Sequence, residues 1–339
     1  MSNWQTVIGH DWAIEMIRTS MANGRSGHAY LLTGPDQIGK STLARAIAQA
    51  FNCTGDQDGP CRNCQLIAAN RHPDVRFIEP EVSGRGKLTL KIEAIRQLQQ
   101  DLNLSAYEAT YKVAILKRFD ATTDGAANAF LKTLEEPPRN VILILTAQDA
   151  DTLLPTISSR CRTLNLRPLP ADLIEQSLTT RWHVPEEQAH LLAHLADGRL
   201  GWAVQAYTDK TILQERAANL THLHEALRGN RVRRFQLAET LANKPELLPD
   251  VLRTWLSWWR DVTILAYTDG TNATAVTNID QLPQLTHAAH STSPQTATAS
   301  LHQTNHAIWQ LQRNANTRLV LENLFLDYPQ VTPLTMTPA

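Results

Sequence analysis

Residues 34–41 read GPDQIGKS, and no other stretch restricts the fold as strongly. The string fits G-x-x-x-x-G-K-[ST], a pattern that works only between a strand and a helix. Its glycines let backbone N–H groups wrap a polyphosphate, and the helix N-terminus behind them adds partial positive charge. Both flanks are present: HAYLLT (28–33) reads as a buried strand and TLARAIAQAF (42–51) as a helix. In that setting Gly34, Gly39, Lys40, Ser41 and Thr42 form the binding loop, with Lys40 on the terminal phosphates and Ser41 on magnesium. The expected ligand is ATP with Mg2+. A mere strand-to-helix turn with an exposed lysine fits this context poorly, whereas a loop that holds nucleotide without turnover stays open.

The first half otherwise alternates short β-rich runs with helical periods, the pattern of an α/β domain with a largely parallel sheet. VRFIE (75–79), KVAIL (112–116), VILILT (141–146) and TLNL (163–166) join HAYLLT as candidate strands. Ile92, Ile95, Leu98 and Leu102 mark one intervening helix. Ala127, Phe130, Leu131 and Leu134 mark another, which Pro137 and Pro138 must end because proline cannot continue the hydrogen-bond ladder. After RPLP (167–170) the strand signals stop, and helices run first to about Tyr207 and then to about Asp327. GTNATAVTN (270–278) and HSTSPQTATAS (290–300) read as loops or loop-to-helix transitions, and PLTMTPA (333–339) as a frayed tail.

Of the 339 residues 42% are apolar, which supports real cores in two or three domains and argues against wholesale disorder. A formal net charge of −1 gives no global attraction to nucleic acid. The longest apolar run, VILILTA (141–147), is too short to span a bilayer, and the N-terminus lacks a basic start followed by an apolar run. A cytoplasmic chain is expected. In a reducing compartment the clustering of Cys53, Cys61 and Cys64 points to metal rather than to bridges.

KVAIL raises the main difficulty. Phosphoryl-transfer ATPases of this type end a second strand with an Asp, usually beside a Glu, which holds metal and positions water. Here the strand is followed by Lys117, Arg118, Phe119 and Asp120. Two cations repel a metal and supply no base. Three positions along an extended chain carry a side chain roughly 10 Å on and to the other face, so Asp120 is expected to cap or enter the next turn. Nucleotide binding without intrinsic ATPase activity is the expectation.

AANAFLKTLEEPP (126–138), followed by a strand and then SSRC (158–161), resembles the clamp-loader family of AAA+ proteins. VIGHDWAIEMI (7–17), GRSGHAYLLTGP (24–35) and RNANTRLVLENLFL (313–326) are similar to the delta-prime branch of bacterial DNA polymerase III subunits, most strongly over residues 4–166. The resemblance implies an α/β fold, a RecA-like AAA+ domain with a parallel five-stranded sheet at 1–167, including a Cys-rich insertion at 53–72. A small helical lid domain at 168–208 and an all-α collar domain for oligomerisation at 209–339 would follow. It implies a clamp-loader subunit that helps load the sliding clamp onto primed DNA during replication. Its partners would be the gamma/tau ATPase subunits and the delta subunit in a hetero-oligomeric ring, with the clamp and primer-template DNA reached through the complex and no membrane involved.

The same resemblance gives roles to single residues. Lys117 and Arg118 stand where the ATPase subunits carry their acids, and Gly201 in GRLGWA (198–203) stands where active subunits carry a nucleotide-sensing arginine. Arg160 of SSRC is implied to be an arginine finger acting in trans on a neighbour's ATP; such fingers are worth about 10³ to 10⁵ in rate. Arg162 reads as a surface residue. Cys53-x7-Cys61-x2-Cys64 resembles the family's zinc module, with His72 of HPDV (72–75) as the evident fourth ligand, since the family pattern has four cysteines. A vestigial knuckle with free thiols is the equal alternative.

In the helical half, Trp255, Trp258 and Trp259 share one face, for a core or a subunit interface. Arg228, Arg231, Arg233 and Arg234 suit either DNA phosphates or a solvated helix start. Three function classes compete: the non-hydrolysing clamp-loader subunit; an active ATPase, of gamma/tau type or an autonomous motor; and a zinc-stabilised nucleic-acid-binding module.

Overall fold

The computed structural model describes residues 3–55, 61–82, 88–268 and 275–331. The tail PLTMTPA, residues 270–274 of GTNATAVTN and residues 56–60 of the cysteine spacer lie outside them. The chain divides into two compact units, Met1–Leu173 with Gly198–Gly201, and Ile174–Asp197 with Trp202–Ala339.

The first unit runs α1 (Asp11–Ala22), β1 (Ala29–Thr33), α2 (Lys40–Asn52), α3 (Arg62–Ala68), β2 (Val75–Ile78), β3 (Glu81–Val82), β4 (Leu88–Thr89), α4 (Ile92–Asn103), β5 (Lys112–Leu116), α5 (Asp124–Glu135), β6 (Val141–Thr146), α6 (Pro155–Ser158) and β7 (Arg162–Asn165). Five strands form one sheet in the order β2-β5-β6-β1-β7, and every pairing in it is parallel. The short β3–β4 pair, which no sequence signal announced, is antiparallel and separate.

Continuous apolar runs form these strands because helices cover both faces of the sheet. Alternation decides which residue meets which face. Tyr30, Leu32, Val113, Ile115, Ile142 and Ile144 share a core with Ile14, Ile17, Ile47 and Phe51 of α1 and α2. Leu31, Ala114, Leu116, Leu143 and Leu145 share the opposite core with Ile95, Leu98, Leu102, Phe130 and Leu134 of α4 and α5. Each fully buried Leu, Ile or Phe contributes about 1.5–3 kcal/mol by leaving water. Thr123 caps α5, its hydroxyl accepting from the Ala126 N–H. Parallel pairing sets the carboxyl ends of β1, β5 and β6 along one edge, where ligands of such sheets bind. The five-stranded parallel order, with the phosphate loop leaving β1, is a RecA-like AAA+ fold.

The second unit is helical: the larger parts of α7 (Ala171–Trp182) and α9 (Leu200–Thr208), with α8 (Glu186–Leu195), α10 (Thr211–Arg228), α11 (Arg231–Ala242), α12 (Leu248–Tyr267), α13 (Leu282–Ser291), α14 (Pro294–Gln312) and α15 (Thr317–Asp327). All three tryptophans of α12 are core: Trp255, Trp258 and Trp259 are fully buried. Trp255 packs on Phe325 and Tyr328, and its indole N–H donates to the Asn219 carbonyl at 2.8 Å. Arg234 is buried as well, donating to the carbonyls of Ala226, Phe325, Tyr328 and Pro329. It therefore ties α11 to the end of α15 and presents nothing to a phosphate.

Most of HSTSPQTATAS is helix rather than loop. Ser293 caps α14 by accepting from the Thr296 N–H, and Pro294 starts it. The Thr298, Ser300 and Thr304 hydroxyls return to carbonyls four residues back, so a polar run lacking apolar period still fits a helix. Among the described residues no helix is long and apolar enough to cross a membrane.

Candidate nucleotide site

The phosphate loop needs left-handed backbone at its ends. Gly34 has φ 135° and Gly39 has φ 115°, and a Cβ on Gly34 would lie 2.5 Å from the Leu166 carbonyl oxygen. Only glycine fits there. The Gly34 N–H donates to the Gln148 carbonyl at 3.0 Å, tying the loop to the end of β6. His10, buried next to Gly39, donates from Nε2 to the Ile38 carbonyl at 3.1 Å. Burial lowers its pKa more than the Ile38 bond and Asp11 raise it, which keeps the ring neutral under the loop. Sequence reasoning missed His10, because a lone histidine in an apolar segment carries no periodic signal.

Lys40 opens α2 and is only 8% exposed. Its ammonium donates to the carbonyls of Gly34 and, at 2.7 Å, Pro35, and lies 3.9 Å from Asp36 Oδ1. Burial pushes its pKa down; the Asp36 and Asp120 carboxylates pull it up, and Arg118 pushes it down. Gln148 donates to Asp36 Oδ2 at 2.9 Å. Ser41 and Thr42 follow in the first turn of α2, half-buried.

At the end of β5 the two cations part. Lys117 pairs with Glu79 beside β2. Arg118 takes a left-handed conformation, φ 48°, and its N–H donates to Thr146 Oγ1 at 3.0 Å. The chain thereby reverses into a 3-10 turn, Phe119–Ala121, anchored by buried Phe119. Asp120 enters that turn as expected, but the 10 Å separation of an extended chain does not hold. The reversal leaves Asp120 close enough for its charge to act on Lys40, and Asp36, Lys40 and Arg118 act on it in return. Burial raises its acid overall, against its own backbone N–H and the two cations.

Gly201 closes the loop from the side. Its N–H donates to the Gln37 carbonyl at 2.9 Å, and a Cβ there would lie 2.7 Å from that oxygen. At this position the chain has backbone against backbone.

Arg160 stands at the other edge of the sheet. It precedes β7, whose Arg162 pairs with Tyr30 and whose Asn165 pairs with Thr33 just before the loop; the strand between spans about 10 Å. The guanidinium contacts Glu135 Oε1 at 2.8 Å and the Thr156 carbonyl at 2.9 Å. Arg162 is exposed, as expected of a surface residue, and donates to Ser20 Oγ at 2.7 Å. Burial pushes the neighbouring Cys161 thiol up to about 12.

The sulfurs of Cys53, Cys61 and Cys64 lie within 4.8 Å of one another. Burial pushes the Cys61 thiol up, but hydrogen bonds with Cys64 and Thr54 outweigh it and bring it down to about 6. Three thiols so placed suit zinc. His72 does not join them: among the described residues the ligand group holds only the cysteines. Instead His72 Nδ1 accepts from the Asp74 N–H at 3.1 Å, and Nε2 lies 3.9 Å from Glu108. Asp74 takes the N–H groups of Tyr107, Glu108 and Ala109, so HPDV braces the chain leading into β5.

A parallel sheet with a phosphate loop at its carboxyl edge, an exposed arginine before its last strand and a helical half following in the sequence is the architecture of AAA+ clamp-loader subunits. A family profile described as DNA polymerase III, delta subunit, matches residues 9–170, and one described as DNA polymerase III, delta subunit, C terminal, matches residues 210–329. The DNA polymerase III subunit delta' of Yersinia pestis is 31% identical over 79% of this chain and 78% of its own length. That of Bacillus subtilis is 32% identical over 63% of this chain and 64% of its own length. The subunit tau of Escherichia coli is 32% identical over 61% of this chain but only 32% of its own length. The chain belongs to the delta-prime family of DNA polymerase III clamp-loader subunits.

Proposed function

We propose that this chain is a cytoplasmic, delta-prime-like clamp-loader subunit that binds ATP without hydrolysing it and supplies Arg160 to the ATP site of a neighbouring gamma/tau-type subunit. The observation that carries this reading is the pair of cations after β5: Lys117 is held by Glu79 and the charge of Arg118 acts on Lys40, and neither can serve as a base. Arg160 supports it from the opposite edge. Being planar and always charged, it neutralises charge on a departing phosphate as lysine would not, and its place before β7 keeps it from its own loop. With the delta subunit it would complete a hetero-oligomeric ring that opens the sliding clamp for primer-template DNA.

The insertion is read as structural. Cys53, Cys61 and Cys64 would hold a zinc ion that staples it to α2 and α3, and metal analysis of the purified chain finding about one zinc per chain supports this. No zinc supports free thiols.

The competing reading is an active gamma/tau-like ATPase, favoured by the complete Gly34–Ser41 loop. One experiment separates them: ATP turnover by the isolated chain and by a reconstituted loader with and without Arg160→Ala. The delta-prime reading expects no turnover alone and a slowed complex with the variant. Turnover by the isolated chain that Lys40→Ala abolishes would establish the ATPase reading instead.

A further inference from the structure

The position of Arg118 goes beyond a lost acid. A magnesium ion at a phosphate loop needs oxygen ligands, normally the loop hydroxyl, a carboxylate from the second strand and the phosphates themselves. Ser41 supplies the first. The residues after β5 fit the ion poorly: the one acid there whose charge reaches Lys40, Asp120, has its carboxyl raised by burial and stands among cations, and the guanidinium of Arg118 beside it carries a fixed charge that repels a divalent cation.

Arg118 is built in rather than left over. Its left-handed backbone is held by the bond from its N–H to buried Thr146. Its Nε is buried with no hydrogen-bond partner among the described residues, and Asp120 Oδ1, in the same turn, is likewise buried and unpartnered. Two such atoms within three residues need a reason, because an unmade buried hydrogen bond is costly. Asp120 supplies the counter-charge that lets Lys40 and Arg118 stand near one another. A phosphate oxygen brought into the loop would meet an ammonium and a guanidinium donor, and guanidinium binds phosphate in a planar fork.

We propose that Arg118 takes the place of the magnesium ion at this loop, so that the polyphosphate of a nucleoside di- or triphosphate is bound through Lys40, Arg118 and the loop N–H groups without a divalent cation. This rests on the nucleotide-binding reading above and specifies its electrostatics.

Calorimetric titration of the purified full-length chain with ADP and ATP tests it, in magnesium buffer and in EDTA. The affinities in the two buffers should agree within about threefold. Arg118→Ala should weaken binding in EDTA by about tenfold or more, Arg118→Lys should recover part of the loss, and Arg118→Asp should make binding magnesium-dependent. Wild-type binding weakened about tenfold or more by EDTA overturns the proposal, and that comparison needs no variant to fold. An Arg118→Ala affinity equal to wild type in EDTA, with an unchanged melting curve, overturns it equally. If wild type binds neither nucleotide in either buffer, or Lys40→Ala binds as well as wild type, the loop is not a nucleotide site and the underlying reading fails with the proposal.

Discussion

The two edges of the sheet differ in what they present: a buried, tightly braced phosphate loop at one and an exposed, lightly held arginine at the other. At the carboxyl edge the phosphate loop is complete in sequence and geometry, and it is set among both cations and acids: Lys117 pairs with Glu79, the charges of Arg118, Asp36 and Asp120 act on Lys40, and Gly201 rests on Gln37. At the amino edge Arg160 is exposed and lightly held by Glu135 and Thr156. On the proposed function the difference would separate binding from catalysis within one unit. Neither edge is needed to hold the sheet, because strand pairing and the two flanking cores do so. If Arg160 serves a neighbouring subunit as proposed, its light tethering leaves it available for that contact.

The largest effect that would break this contrast lies at the amino edge. Arg160→Ala should lower turnover at the ATP site it serves by about 10³ or more, whereas Lys40→Ala should leave turnover there within about threefold. Single-turnover hydrolysis by the reconstituted complex, with gel filtration to show intact assembly, measures both. Equal losses from the two variants would erase the distinction between the edges.

A smaller effect is expected at Gly201. Gly201→Arg should not restore hydrolysis and should cost about 1–3 kcal/mol, since its Cβ must displace the Gln37 carbonyl. Urea unfolding reads the cost, and an unchanged midpoint would mean that the loop gives way freely.

His10 sharpens the carboxyl edge through pH. Its pKa in the folded chain lies below the ordinary 6.5, so as pH falls below 6.5 the unfolded chain takes up the proton first. Stability present at neutral pH is then lost on acidification. His224, lowered by burial and by Arg228, adds a slope of the same sign in the helical unit. His10→Gln should flatten the pH dependence of melting and leave the His224 part; an unaltered slope would remove His10 from the account.

The smallest effect belongs to Glu135. Its contact with Arg160 joins two exposed side chains, so Glu135→Ala should change stability by less than about 1 kcal/mol in thermal unfolding. A larger loss would make Arg160 a structural residue and blur the contrast between the edges.

What the sequence disclosed was local. The five strands, the phosphate loop and the periods of α4 and α5 lie in short strings whose pattern is their structure. Residues set by a reversal or by distant pairing were not legible. Asp120 returns toward Lys40 because one residue, Arg118, turns left-handed, and a non-glycine residue there gives no warning. Arg234 looked like one of four surface arginines until α15 was folded over it. His72, a plausible ligand by spacing, was claimed by the Asp74 N–H beside β2. In α14 a run of Thr and Ser hid a helix whose hydroxyls bond to their own backbone.

The contact between Gly201 and Gln37 also sets which mutational histories remain open. An arginine at 201 has no room until the loop moves, and the loop has no cause to move while glycine stays. The contact thus acts as a steric filter on position 201: any side chain there requires the Gln37 carbonyl to move first.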